Sequence, residues 1–188
     1  MNIHELRYLH EQNWRQSYPH FIKVIQHFDL RVGVEVGVAF GGHAEAILEQ
    51  TKVTQLVGVD PYQHMPSNYD DMMNLPQEDF DNLFWYTVGR LSRFGKRYTH
   101  VRYSSEDAVR QVDGVADFVY LDANHGYEAV KQDLELWTPK VGAGGVIGGH
   151  DFAPEFPGVR QAVEEFATAH HLQVTLEPLG VWWAQLTK

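Results

Sequence analysis

The stretch Val32-Gly33-Val34-Glu35-Val36-Gly37-Val38-Ala39-Phe40-Gly41-Gly42 decides how the rest of the chain is read. An apolar run carrying one acid meets glycines at Gly37 and Gly41, and helical spacing begins at Ala44, Ile47 and Leu48. That order is strand, tight turn, helix. Glycine accepts a positive φ and lets a ligand approach the backbone. The first helical turn leaves amides free to meet polar atoms. The stretch therefore reads as the floor of a cofactor site, although glycine turns also open many βα units that bind nothing.

Charge separates the cofactors such a floor serves. Dinucleotide folds use G-x-G-x-x-G to seat a pyrophosphate on the helix amino end. Here the spacing is Gly37-x-x-x-Gly41, and Glu35 would repel a diphosphate. A carboxylate suits a cation instead, and S-adenosylmethionine carries an α-ammonium and a sulfonium but no phosphate.

With 188 residues the chain is long enough for one domain, 1–188, with a core that needs no metal or disulfide staple. The net charge of -10 and the lack of a basic run argue against nucleic acid as a partner. Cysteine is absent, which excludes disulfides. The start, Met1-Asn2-Ile3-His4-Glu5, lacks a signal pattern, and no stretch has the length of a bilayer span. A cytoplasmic protein that avoids membranes is the expectation.

Outward from the opening stretch, residues 1–30 read as a helical cap with Phe21, Val24, Ile25 and Phe28 on one face and Pro19 opening its second helix. Strands are expected at Arg31–Val36, Gln55–Val59, His100–Tyr103, Asp117–Leu121 and, briefly, Val146–Ile147. Helices are expected at Gly42–Gln50, Glu106–Val112 and Tyr127–Trp137, with another lined by Val159, Ala162, Val163 and Phe166. Alternating strands and helices predict a parallel α/β sheet. Gly142-Ala143-Gly144-Gly145 reads as a turn. Leu172–Leu176 and Val181–Leu186 are joined too closely for a crossover, so they form an antiparallel pair. Residues 61–96 interrupt the alternation, with an exposed loop at Pro66–Asp71 and an apolar face at Phe80, Leu83, Phe84 and Leu91. A crossover helix and a lid over a substrate pocket both fit this segment.

Open α/β sheets bind ligands beyond the carboxyl ends of their strands. Those ends carry Glu35; Asp60; Ser104, Ser105 and Glu106; Asp122 with His125; and His150 with Asp151. Each has a plainer reading: Asp60 as a turn residue, Ser105 as a helix cap, His125 as surface. Five polar ends in succession on apolar strands are harder to explain without a ligand.

Asp117-Phe118-Val119-Tyr120-Leu121-Asp122-Ala123-Asn124-His125-Gly126-Tyr127-Glu128, followed by Gly144-Gly145 and His150-Asp151-Phe152, resembles the class I S-adenosylmethionine-dependent methyltransferases. The likeness runs from Val32 to Asp151 and is strongest to a small-molecule branch related to antibiotic sugar O-methyltransferases. It implies a Rossmann-like sheet of seven strands, mostly parallel with an antiparallel last strand, and helices on both faces. It implies that Glu35 and Gly37 face the methionine part of the cofactor and that Asp60 accepts both ribose hydroxyls, and Gly41 is a further cofactor-binding candidate. Ser105 and Glu106 match the adenine position, and Asp122 borders the cofactor. Asp122, His150 and Asp151 match the ligands of a divalent metal such as magnesium, although His150 departs from the usual all-oxygen pattern. His125 matches the position of the catalytic base, with an ordinary imidazole pKa of about 6.5, and without a metal either His125 or His150 serves as the base.

The implied reaction is in-line transfer of a methyl group to a hydroxyl on a small molecule, with or without a metal. A metal-dependent hydrolase using Asp122, His125, His150 and Asp151 is a second reading, but it leaves Glu35 and Asp60 without a task. A non-catalytic S-adenosylmethionine-binding module is a third, and a nicotinamide dehydrogenase the weakest. The acceptor is unnamed by any motif, and exposed aromatics in the cap leave a homo-oligomer open.

Overall fold

The computed structural model describes residues 3–65 and 73–187. Strands β1 (Val32–Val36), β2 (Gln55–Val59), β3 (Tyr98–Val101), β4 (Ala116–Leu121), β5 (Val141–Gly149), β6 (Thr175–Leu176) and β7 (Trp182–Gln185) form one sheet in the order β3-β2-β1-β4-β5-β7-β6. β1 to β5 pair in parallel, while β7 runs antiparallel to both β5 and β6. The chain winds outward from β1 to β3 and then returns to place β4 on the other side of β1. The two loops leaving β1 and β4 therefore face each other at the sheet's reversal point, where such folds bind ligands.

Alternation along the strands gives each face its own core. Val34, Val36, Val57, Val59, Val119, Leu121 and Ile147 pack against α5 (Ser105–Ala108), α6 (Tyr127–Trp137) and α7 (Pro157–Ala169). Phe118, Tyr120 and Val146 face the other way, toward α2 (Tyr18–His27) and α3 (Gly42–Gln50), where Phe21, Ile25 and Ile47 meet them. A third cluster sits at the strands' carboxyl ends. It joins Leu6 of α1 (Ile3–Gln12), Phe40, Tyr62 and Leu75 to Phe80 and Leu83 of α4 (Gln77–Leu91). The amino-terminal segment thus splits: α2 belongs to the sheet's core, and α1 reaches the end where the loops lie. Among the described residues no helix is long and apolar enough to cross a membrane.

The largest departure from the sequence reading is β5. Gly142-Ala143-Gly144-Gly145, expected as a turn before a brief strand, lies inside one strand of nine residues. The register shifts there: Ala116 pairs with Val141, but Phe118 pairs with Val146. The glycines form an irregular bulge stabilised from the far side, where Gly144 N–H donates to Leu186 O at 3.0 Å and Leu186 N–H to Gly145 O at 2.8 Å. β3 begins two residues before the expected His100, because Tyr98 and Thr99 pair with Leu56 and Val57. α5 ends at Ala108, short of Val112. β6 keeps only Thr175 and Leu176, since Leu172 and Val174 pack onto the core instead. α4 is the crossover helix of the 61–96 segment, burying Phe80, Leu83, Thr87 and Leu91; the loop expected at Pro66–Asp71 lies outside the described residues.

Candidate active site

The loop after β1 is built around one close approach. Gly37 has φ +89°, and a Cβ there would stand 1.9 Å from the Asp122 carbonyl oxygen. Only glycine lets the end of β1 lie against the end of β4. Asp122 N–H donates to Val36 O at 2.8 Å, which extends the parallel pairing into the loop. Ala39 follows in the left-handed region at φ +45°. Its carbonyl accepts from Tyr62 Oη at 2.8 Å and Thr87 Oγ1 at 2.7 Å, so β2's loop and α4 both hold it. Asp60 fastens the same turn: Oδ2 accepts the amides of Val38 and Ala39, each at 3.0 Å, and Oδ1 accepts Tyr62 N–H at 2.9 Å. Gly41, at φ +73°, opens α3.

A second cluster faces this loop across Gly37. Asp122 leaves β4, His125 follows in the loop to α6, and His150 and Asp151 leave β5. Asp151 Oδ2 lies 2.9 Å from His125 Nε2, and Asp151 Oδ1 lies 2.9 Å from His150 Nδ1. One carboxylate is thus spanned by two imidazoles. His150 Nδ1 is also 3.9 Å from Asp122 Oδ1. Backbone and aromatic contacts fix these groups. His150 N–H donates to Leu121 O at 3.1 Å, and the indole of fully buried Trp182 donates to His150 O at 3.2 Å. Asp151 holds φ +59°, a strained state for a non-glycine residue that turns its carboxylate toward His125. A pocket lined by Asp122, Asn124, His125, Asp133, His150 and Asp151 opens there.

A family model described as "Methyltransferase domain" matches residues 30–152, the span that carries both the loop and the cluster. The chain belongs to the methyltransferase domain family. An uncharacterized protein of Acanthamoeba polyphaga mimivirus is 26% identical over 161 residues, covering 79% of this chain and 66% of that protein, so this chain spans about two thirds of its curated relative. Similar solved structures include the calicheamicin methyltransferase CalS11, with a TM-score of 0.68 and 19% identity over 94% of this chain and 79% of that one. An O-methyltransferase from Bacillus cereus in complex with S-adenosylhomocysteine matches with a TM-score of 0.66 and 13% identity, covering 92% and 81%. TomG from Streptomyces achromogenes, an O-methyltransferase involved in tomaymycin synthesis and solved with S-adenosylmethionine, gives 0.62 and 13% identity over 92% and 80%. These likenesses establish a common fold, the seven-stranded methyltransferase sheet that the sequence motifs imply.

Within this methyltransferase domain the residues singled out by sequence divide into three groups. Asp122, His125, His150 and Asp151 converge. Their electrostatics follow from that crowding. Burial works against a charge on His150, yet Asp122 and Asp151 outweigh it and raise its pKa to about 9. Burial also opposes ionisation of Asp151, but hydrogen bonds from both histidines hold it well below the usual carboxylate range. Asp122 is pushed up, first by burial and then by the nearby Asp151 charge, against the pull of His150. For a metal, donor atoms of Asp122, His125 and Asp151 all lie within 4.8 Å of one another. The nitrogen in that set comes from His125, where the resemblance had implied His150.

Gly37, Gly41 and Asp60 make up the second group, the loop itself. Burial raises the Asp60 pKa while the amides of Ala39, Tyr62 and Val38 oppose the rise. A carboxylate offers about four acceptor sites, so these three amides leave roughly one free.

The third group is turned inward or away. Glu35 is 2% exposed, and its Oε1 lies 2.8 Å from His43 Nδ1. The His43 ring sits 4.4 Å from that of Tyr120 and 5.0 Å from that of Tyr18, so the pair is roofed by α2 rather than open to the cleft. Burial raises the Glu35 pKa and the His43 hydrogen bond opposes it. Ser105 Oγ accepts from Trp137 Nε1 at 2.7 Å, and Ser104, not Ser105, caps α5. Glu106 is exposed, 3.5 Å from Arg110. Sequence reasoning missed His43, Thr87 and Tyr62, which fix the loop from helices and turns far apart in the chain. Only the spacing of His43 from Glu35, one strand and turn away, carried any signal.

Proposed function

We propose that this chain transfers the methyl group of S-adenosylmethionine to a hydroxyl of a small molecule held at the ends of β4 and β5. One observation carries the reading. The Gly37–Asp122 approach puts a glycine cofactor loop directly beside a cluster of two carboxylates and two imidazoles. A sulfonium needs a negative, phosphate-free surround, and Glu35, Asp60 and Asp122 lie close enough for Asp60 and Asp122 to push up the Glu35 pKa. Gly37 and Gly41 leave the loop backbone bare for the methionine end. The acceptor site left on Asp60 takes one ribose hydroxyl, where two were expected, and Glu35 contributes charge from beneath the loop. Of the two adenine candidates, Glu106 is the one with an exposed side chain.

An alcohol is a poor nucleophile at neutral pH, and the cluster is suited to remove its proton. The hydroxyl oxygen forms its bond to carbon as the carbon–sulfur bond breaks, which leaves S-adenosylhomocysteine. His125 takes the hydroxyl proton; His150 is already committed as a cation between Asp122 and Asp151. Holding both reactants in line supplies several kcal/mol, of the order seen for well-oriented reactions (about 7–11 kcal/mol at most). Asp122, His125 and Asp151 would hold a divalent ion, which when bound lowers the pKa of a coordinated hydroxyl and replaces His125 as the activating group.

Calorimetry with S-adenosylhomocysteine, run beside a methyl-transfer assay on hydroxylated small molecules, tests this. Asp60→Ala should weaken the nucleoside about 10- to 100-fold, as expected for one charged hydrogen bond. An unchanged dissociation constant would remove Asp60 from the cofactor site.

A further inference from the structure

We infer that the cluster at the ends of β4 and β5 selects a first-row transition-metal ion over magnesium, with His125 as a ligand and His150 as a positioning residue. This deepens the methyl-transfer reading and rests on it for the ion's task; the donor set itself rests on geometry. His125 Nε2 and Asp151 Oδ2 stand 2.9 Å apart. Neighbouring ligands of an octahedral ion with bonds of about 2.1 Å stand about 3 Å apart, so the spacing of these two atoms suits adjacent corners. Asp122 offers a third atom within the 4.8 Å that encloses all three.

His150 lies outside that set of three. Its Nδ1 is 2.9 Å from Asp151 Oδ1, on the other side of the carboxylate from the Oδ2 that meets His125. It therefore orients Asp151 from behind, the arrangement by which outer groups hold a ligating carboxylate. The resulting set is two carboxylates and one imidazole. Magnesium prefers oxygen ligands and retains its waters, whereas manganese, iron, cobalt and zinc accept imidazole readily.

Manganese(II) titration of the full chain with S-adenosylhomocysteine, followed by electron paramagnetic resonance and by competition with magnesium, tests the inference. Manganese should bind at least about tenfold more tightly than magnesium, and the pulsed spectrum should show coupling to an imidazole nitrogen. His125→Ala should abolish that coupling. His150→Ala should keep it while weakening manganese about 10- to 100-fold. His125→Asp, which restores an all-oxygen set, should erase most of the preference over magnesium. The wild-type nitrogen coupling needs no variant to fold. Equal affinity for the two ions, manganese without nitrogen coupling, or coupling lost in His150→Ala but kept in His125→Ala would each overturn the inference. Nucleoside binding without any metal binding would overturn it and leave methyl transfer standing. Nitrogen-coupled manganese without nucleoside binding would support the donor set and sink the methyl-transfer reading.

Discussion

Two regions at the same end of the sheet place carboxylates in opposite ways. At the ends of β1 and β2, His43 holds one oxygen of Glu35, whose Oε2 is buried without a partner among the described residues, and three backbone amides hold Asp60. At the ends of β4 and β5, Asp122 and Asp151 lie against two histidine rings, and the four groups line one pocket. The first pair shapes a loop, and the second lines the pocket where proton or metal chemistry is proposed. An acidic residue at a strand end is therefore not one kind of site: its partners decide whether it holds the fold or a ligand.

The largest expected effect tests the open side. His125→Ala should lower kcat about 10²- to 10⁴-fold, the usual contribution of a positioned acid–base group, and leave S-adenosylhomocysteine affinity within about twofold. A parallel loss of turnover and cofactor affinity would place His125 with the structural residues and erase the contrast.

The closed side is tested by stability. His43→Ala strands a buried carboxylate and should destabilise the fold by about 3–5 kcal/mol in denaturant unfolding. Adding Glu35→Gln to it should recover most of that loss, because no charge is then left unpaired. If the double variant is no more stable than the single one, Glu35 is held by something other than His43.

This division marks the limit of what the sequence made legible. The strand–turn–helix at Val32–Gln50, the buried strand ending at Asp122 and the antiparallel pair at the end of the chain follow from local pattern, whereas the seven-stranded sheet with its reversed last strand is implied by the family resemblance and its strand order is seen only in the structure. The list of polar strand ends is readable in the sequence. Which of those ends open toward a ligand depends on partners such as His43, Thr87 and Trp137, which reach the ends from α3, α4 and α6, and no local pattern shows that a ring will arrive there. The same blindness explains β5: the glycines at 142–145 look like a turn until β7 supplies hydrogen bonds from the far side.

Asp133, buried on α6 beside the open cluster, sharpens the comparison through pH. Burial raises its pKa from 3.8 to about 6, against a hydrogen bond from Ser105. A carboxyl whose folded pKa is raised stabilises the fold only while protonated. Its contribution is full below about pH 4, declines as pH rises toward 6, and stays lost above that. The shift corresponds to about 3 kcal/mol. Asp133→Asn should therefore gain stability relative to the parent between pH 4 and 6, by roughly that amount, in matched unfolding curves. A difference that is flat with pH would mean the carboxyl is solvated.

The end of β3 offers the smallest and most pointed test, because adjacent residues fall on the two sides of the comparison. Ser105 accepts the Trp137 indole at 2.7 Å, and Glu106 is exposed beside Arg110. Ser105→Ala leaves a buried indole donor unpaired and should destabilise the fold by about 1–3 kcal/mol, with little change in S-adenosylhomocysteine affinity. Glu106→Ala breaks only an exposed pair, so the fold should lose less than about 1 kcal/mol. If Glu106 meets the adenine, the same variant weakens the nucleoside several-fold while its unfolding curve stays in place. Stability moving with one residue and affinity with its neighbour separates a carboxyl or hydroxyl that completes the protein from one that is left open for a ligand. If both variants shift the unfolding midpoint and neither shifts binding, the adenine end must be held elsewhere, and β3 joins the closed side of the sheet.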